Sequence, residues 1–133
     1  MTNMLDGKVV VITGASSGIG RSIAEACLAE GASVAIHGRD VTALKELEAL
    51  APERVIAVAG DVTRRADLES LVARTIDRFG AVDAVIPNAG MAKVVAFAER
   101  DEAAIEEQFS VNFVGAVQTA RLFLPHIRQG GAI

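Results

Sequence analysis

The sequence has no Trp and no Tyr, and all five of its aromatic residues are Phe. The core of this 133-residue chain must therefore be built from Val, Ile, Leu and Ala. A composition of 51% hydrophobic and 23% charged residues excludes a disordered polar tail. The single cysteine, Cys27, excludes an internal disulfide and is typical of a reducing compartment. Because Ala and Leu flank Cys27, we expect a buried thiol rather than a nucleophile.

Basic clusters and long apolar runs are scarce as well. The net charge is −4, and the pair Arg64–Arg65 is too small a cluster to predict nucleic-acid binding. Every window of about 18 residues contains a charge, a Pro or a Gly, so no membrane span is expected. The first residues lack the basic and then apolar pattern of a signal peptide. We therefore expect a cytoplasmic protein with no metal site and with neither nucleic-acid nor membrane partners.

Short β-branched runs alternate with amphipathic segments along the chain. Strands are predicted at 8–13, 33–37, 54–60 and 81–87. Helices are predicted at 19–30, between Asp40 and Pro52, between Thr63 and Gly80, and over the longest stretch, 101–124. The alternation predicts one α/β domain, residues 1–133, with a Rossmann-type doubly wound parallel sheet in the order 3-2-1-4.

The boundaries of these elements carry further expectations. Asp40 and Thr63 are the predicted N-caps of the second and third helices. Residues 88–100 form a predicted loop or short helix between the fourth strand and the longest helix. Ala132 and Ile133 are predicted to begin a fifth strand.

A glycine-rich segment, TGASSGIGR at 13–21, follows the first predicted strand. Gly14 permits a tight turn, Gly18 allows backbone to approach a pyrophosphate, and Gly20 allows the helix to pack closely on the sheet. The N–H groups that begin the next helix favour an anion, and two serine hydroxyls add donors. The segment predicts a dinucleotide phosphate site, with a purely structural turn as the alternative. The predicted contacts are Gly14, Ser16, Ser17, Gly18, Ile19 and Gly20.

The end of the second strand reads HGRD at 37–40. An acidic residue just past this strand is typical of sites that bind the ribose 2′-hydroxyl of NAD(H). Here Gly38 and Arg39 occupy that place, and a guanidinium suits a 2′-phosphate. We therefore predict a preference for NADP(H) over NAD(H). The alternative is that Arg39 is a solvated surface residue and Asp40 only a helix cap.

Further motifs follow the glycine loop in order. DV at 61–62 ends the third strand, NAG at 88–90 follows the fourth, and VN at 111–112 lies in the long helix. With TGASSGIG, these motifs make the sequence similar to the short-chain dehydrogenase/reductase family over essentially its whole length. The resemblance implies a Rossmann-type fold that binds NAD(P).

The resemblance also implies roles for single residues. Asp61 would contact the adenine amino group and Val62 would line the ring, although Asp61 could instead only end a strand. Asn112 would be a catalytic residue that holds a water in a proton relay, and a structural hydrogen bond is an equal alternative. The residues implied to back the middle of the cofactor, or to form a simple turn, are Asn88, Ala89 and Gly90.

The reaction in this family depends on a Ser after the fifth strand and on a Tyr-x-x-x-Lys motif. The Tyr acts as acid or base, and the Lys lowers its pKa. Since the sequence has no Tyr, we expect it to be the incomplete, cofactor-binding N-terminal half of an NADP(H)-dependent oxidoreductase acting on an alcohol or carbonyl substrate. The alternatives are a non-catalytic dinucleotide-binding or interaction module, and a fragment that does not fold independently.

Two apolar surfaces are predicted to need partners. The fourth strand, residues 82–86, is expected to be a sheet edge with unpaired backbone. The long helix is apolar over a wide surface, and in relatives this helix commonly forms a subunit interface, so homo-oligomers are expected. The residues predicted to face the sheet are Phe109, Phe113, Ala116, Val117, Ala120 and Leu124. Those predicted to lie off that stripe are Val114, Leu122 and Phe123.

Overall fold

Five strands form one parallel sheet in a computed structural model that describes residues 3–133. The strand order is β3-β2-β1-β4-β5, so the predicted order of the first four strands is confirmed. Each of the first four strands is mostly apolar, as expected when helices cover both faces of a sheet. The strands are β1 (Val9–Thr13), β2 (Ser33–Gly38), β3 (Val55–Ala59), β4 (Val82–Ile86) and β5 (Ile127–Ala132).

Helices connect the strands, as the alternation predicts. They are α1 (Gly18–Ala29), α2 (Val41–Leu50), α3 (Arg65–Phe79), α4 (Glu102–Phe109) and α5 (Gly115–Phe123). The predicted cap Asp40 accepts a hydrogen bond from the Ala43 N–H at 3.0 Å. Across residues 3–133, no helix combines the length and apolarity that crossing a membrane requires.

The predicted cap of the third helix is wrong by one residue. Arg64 is the N-cap of α3, and Thr63 instead turns back to Asp61. The Thr63 N–H and hydroxyl both donate to Asp61 Oδ1, at 2.8 and 2.7 Å. Because the Asp61 carboxylate accepts both Thr63 donors, Thr63 is held outside the capping position.

The longest helix contains an irregular turn that the sequence pattern does not predict. Residues Ser110–Val114 form a π-helical turn between α4 and α5. After Phe123 the chain tightens into a short turn, Leu124–His126, with Pro125 near its start. The predicted loop or short helix at 88–100 is confirmed as a loop with one short turn, Phe97–Glu99.

The prediction that β4 is a sheet edge is wrong. The chain leaves the turn at His126 directly into β5, which pairs with β4 through Val82–Ile127 and Ala84–Ala132. The pairing contains a register shift between these two points, and Gly130 has a positive φ of 83°. The predicted fifth strand is confirmed, but it starts at Ile127 rather than Ala132, because RQGG interrupts the apolar pattern that would mark its first residues.

Two hydrophobic clusters, one on each face of the sheet, form the core. On one face α1 and α2 pack against β1 and β2, and Cys27 is buried there as predicted. Burial raises the pKa of the Cys27 thiol, which keeps it protonated and unreactive. On the other face α3 and α5 pack on the sheet, with Phe123 fully buried among the strands.

The predicted sheet-facing stripe of the long helix is wrong. The buried residues of α5 are Gly115, Thr119 and Phe123, whereas Phe109 is 58% exposed and Phe113 is 55% exposed. A Cβ on Gly115 would lie 2.7 Å from Val62 Cγ2, so the helix and the end of β3 approach too closely for a large side chain. The rings of Phe109 and Phe113 therefore lie on the outer side of the long helix, although large apolar rings favour burial.

Asp83 links the amino ends of three neighbouring strands. Its Oδ2 accepts from the Val9 N–H at 2.8 Å and from Arg128 Nη1 at 2.8 Å. Lys8 Nζ lies 3.7 Å from the other oxygen. The Asp83 carboxylate therefore joins the strands at their amino ends. Polar side chains gather at the opposite end of the sheet, where the strands have their carboxyl ends.

Candidate functional site

A cleft of about 420 Å³ lies at the carboxyl ends of β1 to β4. Ligands of open α/β sheets bind at this end, beside the point where strand order reverses. Ten of the twelve residues predicted to bind a cofactor line the cleft. They are Gly14, Ser16, Ser17, Ile19, Arg39, Asp61, Val62, Asn88, Ala89 and Gly90.

The two remaining predicted residues, Gly18 and Gly20, support the cleft from within α1. Gly18 begins the helix with a φ of +58°. A Cβ on Gly20 would overlap the Gly14 carbonyl oxygen and Asn88 Nδ2. The absence of a side chain at residue 20 therefore lets the helix, the glycine loop and the end of β4 meet.

Asn88 and Ala89 hold the glycine loop in place. Asn88 Nδ2 donates to the Thr13 and Gly14 carbonyl oxygens, both at 3.1 Å. The Ala89 N–H donates to Thr13 Oγ1 at 3.1 Å. Gly14 has a φ of +66°, and a Cβ there would lie 2.7 Å from Ala89 Cα. The loop shape thus depends on glycine at residue 14 and on residues that follow β4.

The amino end of α1 points a set of backbone donors at the cleft. Ser17 is the N-cap, but its side chain accepts no capping hydrogen bond within the described chain. The first turn contains no acidic residue. The first N–H groups of a helix have no acceptor inside the helix, and an anion is their favourable partner. A diphosphate fits this donor set.

Arg39 and Asp40 lie on the side of the cleft beyond β2. Arg39 is exposed, and its positive charge helps to lower the pKa of Asp61. One oxygen of Asp40 is occupied by the Ala43 N–H. The exposed Arg39 guanidinium is therefore better placed to bind a ligand than the Asp40 carboxylate, which caps α2.

Asp61 stands directly after Gly60 at the end of β3. The pKa of Asp61 is held below its ordinary value, first of all by the hydrogen bond from the Thr63 N–H. Burial opposes this as the next largest effect, and the Thr63 hydroxyl and the charges of Arg39 and Arg64 lower the pKa further. The carboxylate is therefore ionised at neutral pH. Oδ1 takes both Thr63 donors, so Oδ2 is the atom left to accept a hydrogen bond from a ligand.

The cleft also includes five residues that the sequence does not assign to cofactor contact. Gly38 follows the second predicted strand and Gly60 ends the third, so their places at the carboxyl ends of strands could have marked them. His37 gave only a weak signal, a polar residue inside an apolar run. The additional lining residues are His37, Gly38, Asp40, Gly60 and Val111.

Asn112 lies outside this cleft and forms hydrogen bonds with Met91, in the loop that follows β4. Its Oδ1 accepts from the Met91 N–H, and its Nδ2 donates to the Met91 carbonyl, both at 2.7 Å. A Cβ on Gly90 would lie 3.3 Å from Asn112 Oδ1. The side chain also borders a second, apolar groove of about 580 Å³ beside Phe109 and Phe113. In this arrangement both polar atoms of Asn112 serve a structural contact.

Comparisons with known proteins agree with this architecture. The family model for short chain dehydrogenase matches residues 8–133. L-rhamnose 1-dehydrogenase (NAD(P)(+)) of Sphingomonas sp. (strain SKA58) is 38% identical over 138 residues, covering 98% of this chain and 54% of that protein. Cis-2,3-dihydrobiphenyl-2,3-diol dehydrogenase of Paraburkholderia xenovorans (strain LB400) is 36% identical over 126 residues, covering 91% of this chain and 46% of that protein.

A solved structure gives the same result in three dimensions. The crystal structure of a short-chain dehydrogenase/reductase, glucose/ribitol dehydrogenase, from Brucella melitensis matches with a TM-score of 0.92 at 32% identity. The match covers 96% of this chain and 55% of that one.

Fold and cleft together define a Rossmann-type α/β protein. The chain belongs to the short-chain dehydrogenase/reductase family, whose typical cofactor is NAD(P). It spans about half the length of the curated relatives it matches.

Proposed function

We propose that the chain is the dinucleotide-binding half of an NADP(H)-dependent oxidoreductase that interconverts an alcohol and a carbonyl compound. One observation carries the proposal: the uncapped amino end of α1, the Arg39 guanidinium and the Asp61 carboxylate line one cleft at the carboxyl ends of parallel strands. These three groups match, in order, a diphosphate, a 2′-phosphate and an adenine amino group.

Different residues of the cleft bind different parts of the cofactor. The first turn of α1 and the hydroxyls of Ser16 and Ser17 bind the diphosphate. Asp61 and Val62 bind the adenine, and the segment 88–90 supports the middle of the dinucleotide. When bound, the nicotinamide supplies or accepts the hydride.

Asn112 shapes the reaction end of the cleft in this proposal. By binding both backbone groups of Met91, it fixes the chain that continues from Gly90. Its role as a catalytic residue that holds a relay water stays a prediction, because that role needs a hydrogen bond beyond the two that Met91 already uses.

The preference for NADP(H) is tested by titrating NADPH and NADH into the purified protein by calorimetry. A charge-assisted hydrogen bond is worth about 1–3 kcal/mol, so we expect NADPH to bind roughly 5- to 150-fold more tightly than NADH. In Arg39→Asp the guanidinium is lost and the new carboxylate repels the 2′-phosphate. We expect this variant to bind NADH at least as tightly as NADPH.

Arg121→Asp is the matched control, since Arg121 is exposed and lies outside the residues that line the cleft. It makes the same change in net charge and should keep the NADPH preference. An unchanged NADPH/NADH ratio in Arg39→Asp contradicts the assignment of Arg39. Carbonyl reduction by the natural full-length chain tests the oxidoreductase activity, and tight NADPH binding without turnover would favour a binding module.

We further propose that the protein self-associates through the outer face of α4 and α5. Phe109 and Phe113 stack there with ring centroids 4.9 Å apart, and Ile105 and Val117 are exposed as well.

Sedimentation velocity should show a dimer or larger species for the wild-type protein. Phe113→Glu should shift this species to monomer, because a buried interface does not accept an unpaired charge. Val94→Glu, at a 95% exposed loop residue, should not. A wild-type protein that stays monomeric at every concentration measured contradicts the proposed self-association.

A further inference from the structure

One hydrogen bond of the turn between β3 and α3 joins the Asp61 backbone to the Asp67 side chain. The Asp61 N–H donates to Asp67 Oδ2 at 2.8 Å, across six residues. Asp67 lies in the first turn of α3 but does not cap that helix, whose N-cap is Arg64. Its carboxylate reaches back to the backbone of the residue whose side chain lines the cleft. The position of Asp61 therefore depends on Asp67.

The buried imidazole of His37 and the Asp67 side chain pack side by side against Gly60. His37 is fully buried, and neither ring nitrogen has a hydrogen-bond partner among residues 3–133. A Cβ on Gly60 would lie 2.7 Å from His37 Nε2 and 2.8 Å from Asp67 Cβ. The ring and the Asp67 side chain thus converge on Gly60 and leave little room for either to move.

A charged His37 ring would compete for the Asp67 carboxylate. Burial lowers the pKa of His37 from its ordinary value, against the opposing effects of Asp67 and Asp61. His37 is therefore a neutral ring at neutral pH and does not draw Asp67 into an ion pair. The Asp67 carboxylate therefore keeps its hydrogen bond from the Asp61 N–H.

The Asp61 side chain is fixed by a separate contact. Its Oδ1 accepts both Thr63 donors, which leaves Oδ2 without a protein donor in the described chain. With the backbone held by Asp67 and the carboxylate held by Thr63, Oδ2 has a defined position. A fixed carboxylate oxygen distinguishes an amino group, which donates, from a carbonyl oxygen, which does not.

We propose that Asp67, confined by His37, is a positioning residue that makes the cleft selective for adenine over a 6-oxopurine. The inference rests on the proposed function, because it takes Asp61 as the residue that meets the base. Asp67 itself touches no cofactor atom in this scheme and acts only through the backbone of Asp61.

The test compares NADPH with its hypoxanthine analogue, in which a carbonyl oxygen replaces the 6-amino group. Both dissociation constants are measured by calorimetry on the natural full-length chain and on Asp67→Ala. We expect wild type to prefer NADPH by about tenfold or more, the value of a hydrogen bond to a charged group. In Asp67→Ala the ratio of the two constants should fall to about one to threefold.

Two further variants separate positioning from general damage. Asp67→Asn keeps an oxygen acceptor for the Asp61 N–H and should retain the wild-type ratio. Glu69→Ala removes an exposed acid of the same helix, which pairs with Arg65, and should also retain it. If Asp67→Ala does not fold, Asp67→Ser carries the same expectation, because its hydroxyl is too short to reach the Asp61 N–H.

The outcomes distinguish the inference from the proposed function. Equal weakening of both ligands in Asp67→Ala, with the ratio preserved, overturns the positioning role and leaves the dinucleotide site intact. Equal binding of both ligands by wild type overturns the contact between Asp61 and the base, and the inference with it. Failure of wild type to bind either ligand overturns the proposed function itself.

Discussion

Alanine in place of Gly20 is expected to abolish measurable NADPH binding and to lower the free energy of unfolding by about 1–3 kcal/mol. Gly20 is helical, so a Cβ alone would raise helix propensity by about 1 kcal/mol. The loss arises because the new methyl group overlaps the Gly14 carbonyl and the Asn88 amide, which together shape the glycine loop at 13–21. Any net destabilisation therefore measures the overlap rather than the backbone preference.

Chemical denaturation gives the free energy of unfolding, and calorimetry gives the NADPH affinity. Gly7→Ala is the control: Gly7 has a φ of +71° but open space around its Cβ position. It should lose about 1–2 kcal/mol through backbone strain alone and bind NADPH as wild type does. A Gly20→Ala protein that keeps wild-type affinity contradicts the role given to this close approach.

Phe123→Ala is expected to lower the free energy of unfolding by about 3–5 kcal/mol, the cost of removing a large ring from a filled core. Phe123 is fully buried on the face of the sheet covered by α3 and α5, where it is the largest side chain of the cluster. A cavity at this place weakens the packing of α5 on β4.

Phe113→Ala is the matched control, because it deletes the same atoms from the same long helix at a residue that is 55% exposed. Its effect on the free energy of unfolding of the monomer should stay below about 1.5 kcal/mol, the most that an aromatic pair such as Phe109–Phe113 contributes. Equilibrium denaturation at low protein concentration measures both variants. The reverse ranking would mean that the aromatic stripe predicted from the sequence faces the sheet after all.

Much of the fold could be predicted because local signals agree with the global arrangement. Continuous apolar strands such as Val9–Thr13, separated by helices with polar outer faces, allow few topologies other than a parallel sheet. The cleft followed from the same logic. Gly14, Arg39, Asp61 and Asn88 each stand just after a strand, and parallel strands bring their carboxyl ends to one edge.

The remaining features depend on contacts that no periodicity contains. The buried face of α5 is decided by how closely Gly115 approaches Val62, so size overrides hydrophobicity there. Thr63 does not cap α3, because its N–H and hydroxyl both donate to the Asp61 carboxylate. Asp67 looks like an ordinary acid in the first turn of a helix until the structure places it on the Asp61 amide.

The central place of β1 sets the order in which this region can assemble. During synthesis β1, β2 and β3 emerge first, but the second side of β1 waits for β4, and Asn88 binds the Gly14 carbonyl across 74 residues of sequence. Closing so long a loop costs entropy that only the completed pairing repays. The glycine loop at 13–21 therefore takes its final shape late, after the segment that follows β4 has been synthesised.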